Sequence, residues 1–484
     1  MLLQIYAQRF HCMRSVCGMI YGYFLRHGRK ETEGKVLNTQ NNLQERDLFD
    51  SRWGFILASI GSAVGMGNIW RFPVMISKYG GLTFMIPYIL FVILIGSTGI
   101  IEEMSFGRAA GSGPIGAFGL ATEIRWGRRK PGETIGVIPV IGAMALAIGY
   151  TCVVGWIFRY VYLALTGGLA EMGSDLDLIG SSFGSTASSM GNNFWLVISI
   201  VSAFLIMAFG IAGGIEKANK VMMPALFGLF VVLMIYILTL PDAVDGYRYI
   251  FSFRADGLRN PEVWIYAFGQ AFFSLSIAGN GAIIYGSYLN KKEDVVSSAA
   301  NVAVFDTLAA LLASFVIIPA VAVSHGELSS GGPGLMFINL VSVFNVMPGG
   351  RLVSVIFYIC VLFAGISSLI NLYEVPVAAL QERLRWKRVP AVVTVGAIGC
   401  AVSLMIQGIV SPWMDVVSIY ICPLGALLAG IMYFWVAGKD FALKSVDAGL
   451  KKPIGKWYFP LGRYVYCSLA LIALIAGALL GGIG

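Results

Sequence analysis

The chain has 484 residues, of which 57% are hydrophobic and only 12% are charged, and its formal net charge is +8. Ordinary soluble domains carry roughly 25% charged residues, so this composition excludes a soluble enzyme. Most lysines and arginines lie in segments that we expect on the cytoplasmic side of a membrane, so the positive-inside rule accounts for the charge and no nucleic-acid partner is needed.

Residues 1–45 form the first segment, a basic tail with a weakly apolar start. This tail has neither a long apolar run nor a small-residue cleavage site, so it is not predicted to be a signal peptide. Two interpretations stay open: a disordered cytoplasmic tail, or residues that precede a misassigned translation start.

Long apolar stretches occupy most of the remaining chain. Each is long enough to cross a hydrocarbon core of about 30 Å, so we predict an all-α integral membrane protein with about eleven spans. The predicted spans are 53–76, 83–106, 138–165, 193–212, 221–240, 264–288, 296–322, 352–378, 389–410, 413–437 and 464–483. They form a group of five within residues 46–240, a second group of five within 241–437, and a loop with one further span within 438–484.

The first span of each group is interrupted by small residues. Residues 61–68 read GSAVGMGN, and residues 274–281 read SLSIAGNG. Glycines in membrane helices often serve only close packing, but these two interruptions lie at matching places beside Asn68 and the hydroxyls of Ser274 and Ser276. Broken helices in two matching halves are typical of transporters with inverted repeats, which bind their substrate at the membrane midplane.

Several stretches resemble the neurotransmitter:sodium symporter family, whose fold is the LeuT type. They are residues 52–55 (RWGF), residues 65–73 (GMGNIWRFP), residues 269–276 (GQAFFSLS) and residues 364–368 (AGISS). The span count and the short loops look like the bacterial branch of the family. The resemblance implies a 5+5 inverted repeat in which helices 1 and 6 are broken, followed by one extra C-terminal helix.

This resemblance implies a sodium-coupled symporter that imports a neutral amino acid, large and apolar or aromatic, by alternating access. The protein would lie in the bacterial inner membrane with its N-terminus in the cytoplasm and its C-terminus outside. A non-transporting solute sensor or a channel on the same bundle is the alternative, although the sequence shows no signalling domain and no filter-like repeat. The partners implied are the amino-acid substrate and the lipid bilayer, and a homodimer is left open.

The substrate would lie between the two breaks, with its carboxylate at the amides of Met66 and Gly67 and the hydroxyl of Tyr150. Gly65 stands where amine transporters of the family carry Asp, so the resemblance implies a substrate that keeps its carboxylate. Gly279 stands where some members carry a bulky aromatic residue, which favours a large substrate side chain. The predicted substrate-binding residues are Ala63, Gly65, Met66, Gly67, Leu146, Tyr150, Phe273, Ser274, Ser276, Gly279, Ser368 and Leu372.

Two sodium ions and no organic cofactor are implied by the same resemblance. The first ion would also bind the substrate carboxylate, and this shared ligand would couple ion to solute. Oxygen ligands suit a hard cation. The predicted ligands are Ala63, Asn68, Ser274 and Asp306 for the first ion, and Gly61, Val64, Ala364, Ser367 and Ser368 for the second.

Asp306 departs from the Asn that many family members have. Its carboxylate would lie near Tyr88, Gln270 and Ser274, which resemble the chloride site of the family. An acidic side chain within a membrane is energetically costly and usually has a function. We therefore hypothesise that Asp306 supplies the negative charge that chloride supplies in other members of the family. Transport would then not require chloride. A carboxylate that is only hydrogen-bonded within the bundle is the alternative.

The resemblance also implies an outer and an inner gate, the outer one assisted by Phe273 over Tyr150. Charged residues near helix ends also snorkel or set topology without gating, and the inner pair of Arg46 and Glu382 fits that interpretation equally well. The predicted gate residues are Arg71 and Asp415 outside, and Arg46, Glu382, Tyr288 and Glu374 inside.

An intramembrane enzyme would need a nucleophile with a base, or a metal cluster, at one depth. Ser367 and Ser368 have no histidine nearby in sequence, and the histidines His11, His27 and His325 lie far apart. The seven cysteines show no spacing typical of a disulfide framework or a metal site. The sequence therefore predicts that the protein is not an enzyme.

Overall fold

The computed structural model describes residues 47–324 and 332–482, and within these ranges the chain forms helices and no β-strand. The main helices are α1 (Arg52–Ala63), α2 (Phe72–Tyr79), α3 (Gly81–Ala110), α4 (Lys130–Thr166), α5 (Asn193–Ala208), α6 (Ile211–Leu238), α7 (Pro261–Ser274), α8 (Gly281–Ser287), α9 (Val295–Val323), α10 (Gly350–Leu384), α11 (Arg388–Ile406), α12 (410–437) and α13 (Tyr458–Leu480). Shorter helices in the connections include Pro114–Trp126, Leu176–Ala187, Ala243–Ile250, Leu340–Val346 and Lys439–Asp447.

Seven helical segments of the described ranges are long and apolar enough to cross a membrane. Large apolar side chains cover their outer surface, among them Met405 and Leu479, which are each 79% exposed. A helix that is apolar on all sides belongs in lipid or in a protein core. One of the seven segments, Arg388–Ala437, contains two predicted spans that are separated by a 3-10 turn at Gln407–Ile409.

The first predicted interruption is a true break in the helix. Helix α1 ends at Ala63, and Val64 takes an extended conformation with ψ of 108°. The chain becomes helical again through a π-turn at Gly67–Arg71 that leads into α2. Backbone groups between Ala63 and Gly67 are therefore available to bonds other than those of a regular helix.

The second interruption is also a break, because α7 ends at Ser274 and both Ser276 and Asn280 have positive φ angles of 55° and 50°. This left-handed conformation is uncommon outside glycine. Side chains hold it in place: the Ser276 hydroxyl donates to the carbonyl of Ser62 at 2.7 Å, and the Asn280 amide donates to Glu103 at 3.0 Å. The bond between Ser276 and Ser62 brings the two breaks side by side.

The broken helices lie in the middle of the bundle. Helix α1 packs against α6, α9 and α10, while α7 and α8 pack against α3. Helix α4 lies along α10 and faces the breaks from the other side. The long helices thus form a frame around the two irregular segments, as expected where non-helical backbone is sheltered from lipid.

Candidate functional site

A cavity of about 350 Å³ lies between the two breaks. It is mostly lined by apolar side chains with a few polar groups, the usual make-up of a small-molecule site. Every predicted substrate-binding residue contributes to its wall, and these residues are Ala63, Gly65, Met66, Gly67, Leu146, Tyr150, Phe273, Ser274, Ser276, Gly279, Ser368 and Leu372. Residues that the sequence pattern does not predict also line it, including Val153, Asn371, Met414 and Ser418.

Tyr150 and the first break form one end of this cavity. The amide of Met66 donates to the Tyr150 hydroxyl at 2.9 Å. A Cβ atom at Gly65 would lie 2.9 Å from that hydroxyl and 3.2 Å from the Ser368 hydroxyl oxygen. These contacts are tighter than ordinary van der Waals packing, so only glycine fits at position 65 without a shift of its neighbours.

The residues predicted for the second sodium ion converge where α1 meets α10. The Ser368 hydroxyl lies 3.3 Å from the Gly61 carbonyl and 3.1 Å from the Val64 carbonyl. The Ser367 hydroxyl lies 3.1 Å from the carbonyl of Ala364. The carbonyl and hydroxyl groups of this set all offer neutral oxygen atoms as ligands. A hard cation prefers oxygen ligands.

Asn219 of α6 lies beside this oxygen cluster, and the sequence pattern does not predict it. Its side chain is fully buried, its amide nitrogen donates to the Ile215 carbonyl at 2.9 Å, and its amide oxygen has no partner within the described residues. A Cβ atom at Gly61 would lie 2.3 Å from that oxygen and 2.9 Å from Cβ of Ser367. Gly61 therefore allows three helices to meet closely at this point.

Asp306 is buried next to the first break. One of its carboxylate oxygens accepts from the Ser274 hydroxyl at 2.6 Å, and the other accepts from the Asn68 amide at 2.8 Å. Gln270, which the resemblance places in the same region, donates instead to the Gly67 carbonyl at 3.2 Å. The hydroxyl of Tyr88 is buried and has no hydrogen-bond partner in the part of the chain that the structure describes.

Asn68 is oriented differently from what a sodium ligand requires. Its side-chain oxygen accepts from the Gly65 amide at 3.0 Å, so its nitrogen faces Ser274 and Asp306. An amide nitrogen donates hydrogen bonds and cannot bind a cation. An ion could bind Asn68 as the resemblance implies only after the side-chain amide flips so that its oxygen faces the ion. The Ala63 carbonyl, from the same break, would be a further ligand.

The predicted outer gate residues, Arg71 and Asp415, both line the cavity. Phe273 and Tyr150 also belong to the cavity wall, as the resemblance implies.

The predicted inner gate residues are distributed over two contacts. The Tyr288 hydroxyl donates to Glu374 at 2.6 Å, which joins the end of α8 to α10. Glu382 accepts from the Ser112 hydroxyl at 2.5 Å and from the Gly113 amide at 2.9 Å. Arg46, the predicted partner of Glu382, lies outside the described residues.

Arg388 is a further partner of Glu374 that the sequence pattern does not predict. Its guanidinium donates two parallel hydrogen bonds to the carboxylate, at 2.9 and 2.8 Å. The Glu374 side chain is 0% exposed and that of Arg388 is 14% exposed, so the pair is shielded from water. Glu374 lies within α10 and Arg388 is the first residue of α11, so the pair joins the two helices.

Replacing Arg388 by alanine is expected to destabilise the protein by about 3–5 kcal/mol, because Glu374 would keep a buried charge without its cation. The measurement is the midpoint of thermal unfolding in detergent micelles. Arg248→Ala is the matched control, since Arg248 and Asp245 form an ion pair with side chains that are 77% and 71% exposed. An equal change in both variants would contradict a special role for the buried pair.

Comparisons with known proteins agree with this geometry. The model of the sodium:neurotransmitter symporter family matches residues 46–175 and 178–476. A sodium-dependent transporter of Methanocaldococcus jannaschii is 30% identical over 441 residues, which are 86% of this chain and 87% of the relative. A sodium-dependent neutral amino acid transporter of Mus musculus, B(0)AT3, is 25% identical over 480 residues, which are 80% of this chain and 76% of the relative. The crystal structure of MhsT in complex with L-phenylalanine is 32% identical, with a TM-score of 0.77 over 89% of this chain and 99% of MhsT.

The chain belongs to the sodium:neurotransmitter symporter family. Its fold is the all-helical LeuT type of a membrane transporter, and it is not an enzyme. The family and the LeuT-type fold that the motif resemblance implies are thereby confirmed, whereas the number of spans and the 5+5 division stay predictions.

Proposed function

We propose that this protein is a sodium-coupled symporter that imports a neutral, large apolar or aromatic amino acid by alternating access. The observation that carries the proposal is the cavity between the two breaks, which is lined by backbone of the first break, the Tyr150 hydroxyl and Ser274 around one small apolar space. Ser274 in turn bonds to the buried carboxylate of Asp306 just behind the cavity wall. Transporters of this architecture bind substrate and ions where broken helices expose such groups.

The substrate carboxylate would bind at the first break, near Met66, Gly67 and Tyr150. The π-turn at Gly67–Arg71 begins here, and the amide end of a helical segment favours an anion. The Met66 amide, which donates to the Tyr150 hydroxyl in this structure, would donate to the carboxylate instead. An amino acid bound in this way would bring its carboxylate next to the first sodium ion. The ion would then bind well only when the substrate is present, which is the basis of coupled transport.

The side chain of the substrate would occupy the apolar part of the cavity. Met66, Leu146, Phe273 and Leu372 provide this surface. A Cβ atom at Gly279 would lie 3.3 Å from Leu372, so the glycine keeps space open next to that leucine. Among the described lining residues only Arg71 and Asp415 are charged, and their charges have opposite signs, which supports a neutral substrate. The likeness to MhsT bound to L-phenylalanine supports an aromatic one.

Two sodium ions would accompany the substrate, and chloride would not be required. The second ion would bind the Gly61, Val64 and Ala364 carbonyls with the Ser367 and Ser368 hydroxyls. Asp306 would supply a fixed negative charge near the first ion. The ligand chemistry supports this assignment because both places present oxygen atoms to the ion.

The N-terminus would lie in the cytoplasm and the C-terminus outside the inner membrane of a bacterium. The distribution of lysine and arginine among the loops supports this orientation. Closure would then bring Arg71 towards Asp415 on the outer side. On the inner side it would involve Arg46, Glu382, Tyr288 and Glu374, and a homodimer is compatible with this arrangement.

The experiment that tests the proposal is uptake of labelled amino acids into proteoliposomes. Phenylalanine, tryptophan, tyrosine and leucine are compared with lysine, glutamate and phenethylamine, which is phenylalanine without its carboxylate. An inward sodium gradient is compared with a potassium gradient and with sodium plus an ionophore. We expect accumulation of one or more neutral amino acids under the sodium gradient alone, and none of phenethylamine.

Other outcomes would replace the proposal. Sodium-enhanced binding without uptake would identify a solute sensor. Sodium flux that does not depend on any solute would identify a channel. Uptake of phenethylamine at the rate of phenylalanine would show that the substrate carboxylate is not recognised.

A further inference from the structure

Arg463 of α13 lies against a group of aromatic rings at the lipid-facing side of the bundle. Its guanidinium carbon is 4.0 Å from the centre of the Trp435 ring, 5.5 Å from that of Tyr464 and 5.8 Å from that of Phe459. Trp435 is 44% exposed and Tyr464 is 58% exposed. The cation is therefore held in an aromatic cradle that opens towards the membrane.

The depth of this cradle follows from its place on α12. Gly425 of α12 lies beside Asn280 of the second break, since a Cβ atom at Gly425 would be 3.4 Å from the Asn280 amide oxygen. Trp435 is ten residues further along α12, which corresponds to about 15 Å of helix. Half of a hydrocarbon core is also about 15 Å thick, so Trp435 and Arg463 lie where the acyl chains meet the headgroups.

Arg463 has no anionic partner among the residues that the structure describes. Within residues 47–324 and 332–482 no carboxylate lies within 4 Å of its guanidinium, and its Nε atom is buried without a hydrogen-bond acceptor. The aromatic rings attract the charge but accept few of its five N–H groups. At the level of the headgroups, the remaining N–H groups are within reach of lipid oxygen atoms.

The neighbouring loop carries further positive charge. Lys451, Lys452 and Lys456 are exposed just before α13 begins at Tyr458. Asp447 lies in the same region, but its carboxylate already accepts from the Ile454 amide at 2.7 Å. Three lysines against one aspartate leave net positive charge beside the start of α13 at the headgroup level, where it attracts anionic lipid.

We propose that Arg463, cradled by Trp435 and Tyr464, binds the phosphate of an anionic phospholipid. The guanidinium fork matches two phosphate oxygens, the exposed aromatic rings pack against the upper acyl chains, and the lysines of the preceding loop attract the net negative charge. This lipid site lies between α12 and α13, on the surface of the bundle and away from the substrate cavity.

The test uses the purified full-length protein in detergent, titrated with phosphatidylglycerol or phosphatidylcholine. Retained lipid is counted by native mass spectrometry, and thermal unfolding is followed in parallel. Wild-type protein is expected to retain phosphatidylglycerol preferentially and to be stabilised by it. In Arg463→Gln the apparent affinity for phosphatidylglycerol should fall about fivefold, and Arg463→Lys should keep part of it.

Arg351→Gln is the matched control, because Arg351 lies at the start of α10 and already donates to the Leu165 carbonyl at 2.7 Å. It should bind phosphatidylglycerol like the wild type. Equal lipid retention by Arg463→Gln and wild type would overturn the proposal. Equal stabilisation by phosphatidylcholine or by inorganic phosphate would also overturn it, because the first would show that headgroup charge is irrelevant and the second that no lipid is needed.

Discussion

Replacing Ser367 and Ser368 together by alanine is expected to shift the sodium dependence of substrate binding to much higher sodium concentrations while the protein remains folded. The Ser368 hydroxyl lies within 3.3 Å of the Gly61 and Val64 carbonyls, and the Ser367 hydroxyl lies 3.1 Å from the Ala364 carbonyl. Their loss removes two of the five oxygens proposed for the second ion. Mutation of a residue that only hydrogen-bonds to a metal ligand typically lowers metal affinity by about 10–100-fold. Removal of two direct ligands should therefore raise the half-maximal sodium concentration at least about 100-fold.

The measurement is equilibrium binding of labelled substrate over a series of sodium concentrations at constant ionic strength. Ser314→Ala is the matched control, because Ser314 is equally buried on α9 and its hydroxyl donates to the Ala310 carbonyl of its own helix at 2.9 Å. It should leave the sodium curve unchanged. If the double variant bound substrate with the wild-type sodium dependence, the assignment of the second ion to these serines would be wrong.

Asp306→Asn is expected to lower sodium-driven uptake at least about tenfold in chloride-free medium, with partial recovery when chloride is added. The carboxylate is buried and accepts from Ser274 and Asn68 at 2.6 and 2.8 Å. Its charge is close to the proposed first ion, where Coulomb interactions are weakly screened. An asparagine has similar shape but no charge, so a mobile anion would be needed to replace it.

The experiment compares chloride with gluconate for wild type, Asp306→Asn and Asp306→Glu. The glutamate variant keeps the charge and should remain independent of chloride even if its rate falls. Uptake by the wild type that depends on chloride would refute the proposed role of Asp306. Equal loss in both variants without chloride rescue would favour the alternative, in which the carboxylate only holds Ser274 and Asn68 in place.

The sequence is sufficient to predict the elements that depend on local pattern. The small residues at 61–68 and 274–281 predict both breaks, because helix interruptions in a membrane require glycine and polar groups. The twelve predicted substrate-binding residues come from the family resemblance, and the structure brings all of them to one cavity.

Features that depend on packing between distant segments could not be predicted. Arg388 follows Glu374 by 14 residues, but one helix ends at Leu384 and the next begins at Arg388, so their contact depends on how α11 folds back against α10. Asn219 becomes notable only because α6 approaches Gly61. The direction of the Asn68 amide depends on whether Asp306 or an ion lies opposite it, which no sequence pattern encodes.

The close approach at Gly65 has a consequence for any redesign of substrate class. Changing this transporter to accept amines would mean adding an acidic side chain at position 65, yet the first carbon of that side chain would already press against the hydroxyls of Tyr150 and Ser368. A single substitution at position 65 would therefore produce a blocked protein. Directed evolution would have to make room at Tyr150 before the new charge could be useful, so the order of the mutations is constrained.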